Sequence, residues 1–219
     1  KKWVVHGIFT IVLIFCGYIG WVGIDFGYQW DETYHIAPVV RLLREGVIFP
    51  GHYYYPSFCF QLSLLALIPH ALGLFITAGY DGFWTNLTAF AGGSNFVLHA
   101  RILSMLTSYL SLIWVYVLVL RWRKNAVLAL FSATLLAFSW EVGYHARWVA
   151  PNTVLMQFGA LVMLLVMTFP HKFGNGAWIM SSAIAGIATS TKYPGGLLLL
   201  PIFLKVVLAR GISRGESRK

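Results

Sequence analysis

The sequence places two acids side by side, Asp31 and Glu32, in the stretch "QWDETYHIAPVVRLLREG". Only seven acids occur in all 219 residues. Both follow an apolar run, and cations recur at the ends of later apolar runs: Arg101 opens one, and Arg147 and Lys192 follow others. This mixture fits one chemistry. Arg and Lys bind a phosphate at the lipid headgroup level, and a carboxylate beside them acts as base on an acceptor hydroxyl. His35, His145, Glu141 and Asn152 fall in the same parts of the chain. No His or Cys cluster has metal-ligand spacing, so no metal and no cofactor is expected. Cys16 and Cys59 sit in apolar surroundings and match no redox motif.

The elements that must position these groups are membrane helices. The chain is 58% hydrophobic and 11% charged, against roughly a quarter charged in soluble domains. Residues 3–24 carry no charge and cross a hydrocarbon core of roughly 30 Å. The run is too long for a cleavable signal peptide and lacks its small-residue exit. Further apolar runs lie at 58–80, 97–120, 125–142, 153–169, 177–191 and 195–208. The last two flank "STKYPGG", where Pro194 and two glycines break the helix.

Charge decides whether 58–80 spans. The net charge of +9 is one that nucleic acid attracts, but the cations are distributed as a membrane-orientation signal. If 58–80 lies in the outer leaflet, then Lys1, Lys2, the "RWRK" cluster, Lys172, Lys205 and the basic tail all fall inside, as the positive-inside rule requires. A spanning 58–80 would move "RWRK" and the tail outside. Pro56, Pro69 and Gly73 suit a bent or interfacial helix. The expectation is therefore an all-α polytopic protein with about six crossings. Residues 1–24 form the first, 25–96 a large external loop with interfacial helices, and 97–219 the remaining crossings and a basic cytoplasmic tail. Starting on Lys1 and ending on "LARGISRGESRK", the chain is expected to be part of a longer protein.

Within the loop, 33–46 is amphipathic: Ile36, Val39, Val40 and Leu43 follow helical spacing, with Arg41, Arg44 and Glu45 opposite. Asp31 or Thr33 is expected to cap this helix and Gly46 to end it. The topology leaves Arg41, Arg44, Arg101, Arg147 and Lys192 outside, against the orientation rule, which points to a separate task for them. Plainer roles stand beside the chemical ones. The acids can serve as helix caps, the outer cations as snorkelling anchors, and His35, His52, His99 and His145 as satisfied structural groups. "YYY" at 53–55 fits an interfacial aromatic belt, and "NLT" at 86–88 is a weak acceptor sequon.

Five stretches occur in order: "WDETYHIAPVVRLLREG", "YYYPSF", "HARILSMLTSYLSLIWVYVLVLRW", "YHARWVAPNTVL" and "STKYPGGLLLLP". Together they resemble the N-terminal membrane module of the GT-C glycosyltransferases, in the protein O-mannosyltransferase and aminoarabinose-transferase-like group (glycosyltransferase family 39). The resemblance implies a polyprenyl-phosphate sugar donor and transfer with inversion to a protein, lipid or glycan acceptor, at the external face of a bacterial or archaeal cytoplasmic membrane. It implies that Asp31 is the catalytic carboxylate, with Glu32 its neighbour, and that Arg147 and Lys192, joined by Arg101, hold the phosphate. Tyr55 matches the family's residue before the loop proline. His35, Tyr55, His145 and Asn152 are expected to line the substrate site. Many members carry a second acid where this chain has Asn152. Membrane lipid is the expected partner, not nucleic acid, and a larger membrane complex is compatible. Two other readings remain: a non-catalytic scaffold subunit, and a lipid-phosphate-binding transport protein.

Overall fold

The computed structural model describes residues 2–27, 29–49, 51, 54–77, 79–168 and 175–216. The side chains of 79–81, 175 and 209–216 are outside that description. Every regular element among the described residues is helical.

The first helix, α1 (Lys2–Trp21), turns much of its apolar surface outward, with Ile11 and Ile14 about two-thirds exposed. That surface suits a lipid solvent, which a water-soluble domain would not tolerate over so large a patch. A 3₁₀ turn (Trp30–Glu32) leads into the loop helices α2 (Thr33–Glu45), α3 (Phe58–Leu65), α4 (Ile68–Thr77) and α5 (Gly79–Ala91). Then follow α6 (Ser94–Arg123), α7 (Ala126–Ala137), α8 (Trp140–His145), α9 (Pro151–Thr168) and α10 (Asn175–Thr191). A second 3₁₀ segment (Tyr193–Leu198) leads into α11 (Leu199–Glu216).

By length and composition Phe58–Thr77 is apolar enough to span, but it is not one helix. Pro69 lacks an N–H, and its ring collides with the carbonyl four residues earlier. That residue is Leu65, the last of α3. Pieces of 8 and 10 residues each reach only about half of a hydrocarbon core. They pack with α2 and α5 into a layer of short helices. The expected 125–142 span also divides. Asn125 starts it, its Oδ1 accepting from the N–H groups of Val127 and Leu128 at 3.0 and 3.1 Å. It ends at Ala137, and Ser139 opens α8 by accepting from Val142 N–H at 3.4 Å.

Cross-chain bonds fix the directions of the long helices. His6 Nδ1 meets Tyr116 Oη at 2.6 Å near one end, while Arg101 reaches the chain beyond α1 at the other; α1 and α6 run antiparallel. Helices α6 and α9 run parallel, joined by Ser108 to Thr153 at 2.7 Å and Trp114 to Gln157 at 3.1 Å. Ser104, Ser108 and Ser111 lie fully buried along this contact, since small side chains let membrane helices approach closely. Ala129 and Ala133 do the same on α7 against Phe9 and Tyr116. Helix α10 returns antiparallel to α9, because Lys192 beyond its end meets Asn152 at the start of α9. Gly195 packs against α10 so closely that a Cβ there would overlap the backbone of Ala188. The helices thus alternate in direction. The end of α1, the start of α6, α8, the start of α9, the end of α10 and the short loop helices all gather at one end of the bundle.

Candidate functional site

That end holds the residues singled out by the sequence. The 3₁₀ turn is the key local element. At 3.0 residues per turn, successive side chains point about 120° apart, so Asp31 and Glu32 face different surroundings. Neither caps α2: Glu32 occupies the N-cap position with no side-chain cap bond, which corrects the capping expectation for Asp31. Gly46 ends α2 as expected, left-handed at φ 67° with its N–H on Leu42 O.

Glu32 is buried and accepts from Arg101 Nε at 2.8 Å and Nη2 at 2.6 Å. It also accepts from Val149 N–H at 3.0 Å. Arg101 gives its remaining N–H groups to the carbonyls of Ile24, Phe26 and Gly27 at 2.9, 2.6 and 2.8 Å. Every donor of the guanidinium is therefore used inside the protein. The Phe26 ring covers its outer face, 4.0 Å from Cζ. Arg101 and Glu32 tie the end of α1, the start of α6 and the entry to α9 together.

Asp31 is 7% exposed and makes far fewer bonds. Its Oδ2 accepts from Tyr55 Oη at 3.3 Å, and its Oδ1 has no partner among the described residues. Burial raises its pKa above the ordinary carboxylate value, and the Tyr55 hydrogen bond and the charges of Lys192 and His145 pull it only part of the way back. Burial, then the charge of Asp31, raises the Tyr55 phenol and keeps it a donor. Lys192 Nζ donates to Asn152 Oδ1 at 2.7 Å. His145 Nε2 lies 3.5 Å from Glu141 Oε1.

Asp31, Tyr55, His145, Lys192 and Asn152, from five separate segments, thus form one group. His35 is buried beside it, its ring 5.3 Å from that of Tyr55. Arg147 follows α8 on the same segment as His145, and its buried Nε has no partner among the described residues. His99, which packs on Phe90 at 5.3 Å, stands apart from this group. His52, Tyr53 and Lys172 lie outside the described residues. Among the described residues no group of three or more His, Cys, Asp and Glu is placed to hold a metal.

Two residues escaped the sequence reading. Tyr34 lies three positions after Asp31, one helical turn on, and its ring stands 6.2 Å from Tyr55 and 6.5 Å from Trp30. Trp148 is buried with its ring 5.3 Å from His145, and its Nε1 has no partner among the described residues. Helical spacing from Asp31 would have found the first. The second carried no local signal.

The group is a buried carboxylate with one oxygen free, in the field of Lys192 and His145, at the end of a membrane helix bundle. The dolichyl-phosphate-mannose-protein mannosyltransferase family model matches residues 83–218, and the acid pair precedes the matched part. No curated protein and no solved structure matches the chain significantly. The family match takes in more than half of the sequence and all the helices from α6 onward, and the chain belongs to the dolichyl-phosphate-mannose-protein mannosyltransferase family.

Proposed function

We propose that this chain transfers a sugar from a polyprenyl-phosphate donor to an acceptor hydroxyl at the external membrane face. The observation that supports it best is Asp31: buried, with Oδ1 free, and within the field of Lys192 and His145. A raised pKa makes the carboxylate a stronger base, closer to the optimum for proton transfer near neutral pH. Asp31 takes the proton of the acceptor hydroxyl as its oxygen bonds to the anomeric carbon. The bond from that carbon to the phosphate oxygen breaks, and the polyprenyl phosphate leaves with the electron pair. Attack opposite the leaving group inverts the anomeric centre.

Lys192 stabilises the charge that develops on the phosphate, and Asn152 holds its amine in place. Arg147 is the second cation assigned to the phosphate, through its unpartnered Nε. Arg101, with every donor committed, is assigned a positioning role with Glu32. Tyr55 orients Asp31. His35 and His145 line the sugar site with Tyr34.

The test is transfer of labelled sugar from a polyprenyl-phosphate donor by the protein in its native membrane. Asp31→Asn is expected to lower transfer by about 10²-fold or more. Unchanged transfer by that variant removes Asp31 from the chemistry. Absence of transfer by the unaltered protein, with donor still bound, turns the assignment to a scaffold or a carrier.

A further inference from the structure

Two outer cations, Arg41 and Arg44, take no part in the transfer scheme. They line a cavity of about 500 Å³ between α2 and the start of α6. It shares Ile36, Ala37, Ser94 and Val97 with a second cavity of about 730 Å³ that runs inward to Phe26 and Leu98. The two form one groove with a charged mouth and a mainly apolar interior. Arg41 is held at the mouth by Glu45 at 3.5 Å, and its guanidinium lies over Gly51, where a Cβ would overlap it. Arg44 has no acidic partner among the described residues. Asp25 lines the inner cavity and not the mouth. Among the described residues the mouth thus carries one cation without an acid beside it.

The inner end is closed by the Glu32–Arg101 pair, whose guanidinium has no donor left to give. Asp31 does not line either cavity. A sugar phosphate in this groove would not meet the carboxylate assigned to chemistry. The occupant is therefore an amphiphile that is not the reacting donor.

We infer that the α2–α6 groove binds an anionic membrane phospholipid, with its phosphate between Arg41 and Arg44 and an acyl chain along Ile36, Ala37, Val97 and Leu98. Cavities of about 500 and 730 Å³ are in the range of ligand pockets, and here they take the headgroup and one acyl chain, not the whole lipid. An amphipathic helix such as α2 lies at headgroup depth, which brings the mouth level with lipid phosphates. The bound lipid fills the space between α2 and α6 and so steadies the turn that carries Asp31.

The experiment uses the delipidated protein in neutral detergent, with binding read by native mass spectrometry and thermal unfolding. Phosphatidylglycerol is expected to bind about fivefold better than phosphatidylcholine, which is what one uncompensated arginine near an anionic headgroup supplies, and to raise the unfolding temperature. The double variant Arg41→Gln/Arg44→Gln, on an exposed face, is expected to lose that preference. Val97→Trp, which fills the groove, is expected to lose retention of both lipids. Equal binding of the two lipids overturns the headgroup assignment. Unchanged binding in Val97→Trp overturns the groove. Displacement of phosphatidylglycerol by equimolar decaprenyl phosphate makes the groove the donor's own site and overturns the inference. Binding is read without turnover, so failure of the transfer assay does not decide it.

Discussion

Glu32 and Arg101, 69 positions apart in the chain, meet in a buried two-bonded ion pair at 2.6 and 2.8 Å. Buried charges resist separation, because the partner left behind is unpaired in a low dielectric. Arg101→Met strands the Glu32 carboxylate and three backbone carbonyls. It is expected to cost about 3–5 kcal/mol, seen as a sharp fall in unfolding temperature in detergent. Adding Glu32→Leu removes the stranded charge, so the double variant is expected to be more stable than Arg101→Met alone. Simple additivity of the two losses would show that the pair does not couple.

Asp31 has the opposite balance, and its pH dependence follows from its raised pKa. In the acid limb of kcat/KM, transfer rises as the carboxyl loses its proton. The limb is expected above the ordinary carboxylate range. The Tyr55 hydrogen bond favours the charged form, so Tyr55→Phe is expected to move the limb to still higher pH. A limb that stays in place, or moves down, dissociates Tyr55 from Asp31.

The same shift has a stability consequence. A carboxyl with a folded pKa above its unfolded one binds its proton more tightly when folded. Its contribution is fully present below the unfolded pKa and is lost as pH rises through the folded pKa. At neutral pH the charged Asp31 therefore lowers stability. Asp31→Asn is expected to raise the unfolding temperature at neutral pH while removing transfer, a trade found at functional sites. The gain is expected to vanish at pH values below the ordinary carboxylate range. Thermal unfolding of both proteins across pH measures it, and no gain at neutral pH refutes the reading.

Asn152 opens α9 beside the end of α10, and its contact shows what it does: its carbonyl oxygen holds Lys192 at 2.7 Å. A neutral acceptor fixes the amine and leaves its charge available. Asn152→Asp would neutralise that charge in an ion pair. It is expected to raise the KM for a polyprenyl-phosphate donor by about tenfold, equivalent to about 1.4 kcal/mol of binding, with kcat less affected. An unchanged KM would remove Lys192 from phosphate binding.

Hydropathy made the helices legible, and the ordered motifs made the family legible, because both are written along the chain. The break before Pro69 was also written there: a proline cannot extend the helix that ends at Leu65. The break at Ser139 was missed because one hydroxyl within an apolar run looks harmless until it caps the next turn. Asp31 and Glu32 read as one pair, and no local signal tells that a 3₁₀ turn separates them. Arg101 read as a phosphate ligand because the carbonyls of Ile24, Phe26 and Gly27 that consume its donors are brought to it only by the packing of α1 on α6. The apolar runs and the charge bias together led to the expectation that Lys192 and Asp31 share one membrane depth, and the charge of Lys192 acts on Asp31.

That shared depth yields the last prediction. The alternating helix directions place Arg123, at the end of α6, at the opposite end of the bundle from Asp31. Native Cys16 and Cys59 are buried, so a membrane-impermeant thiol reagent should meet little background. Arg123→Cys, on an exposed position, is expected to resist labelling from outside intact cells and to react once they are permeabilised. Trp140→Cys, 76% exposed at the start of α8, is expected to react from outside in both conditions. The basic cluster around Arg123 favours the cytoplasmic side, and the proposed transfer needs Asp31 on the other. If Arg123→Cys reacts from outside and Trp140→Cys does not, the bundle is inverted. The acid pair would then face the cytoplasm, where an acceptor arriving from outside could not reach it.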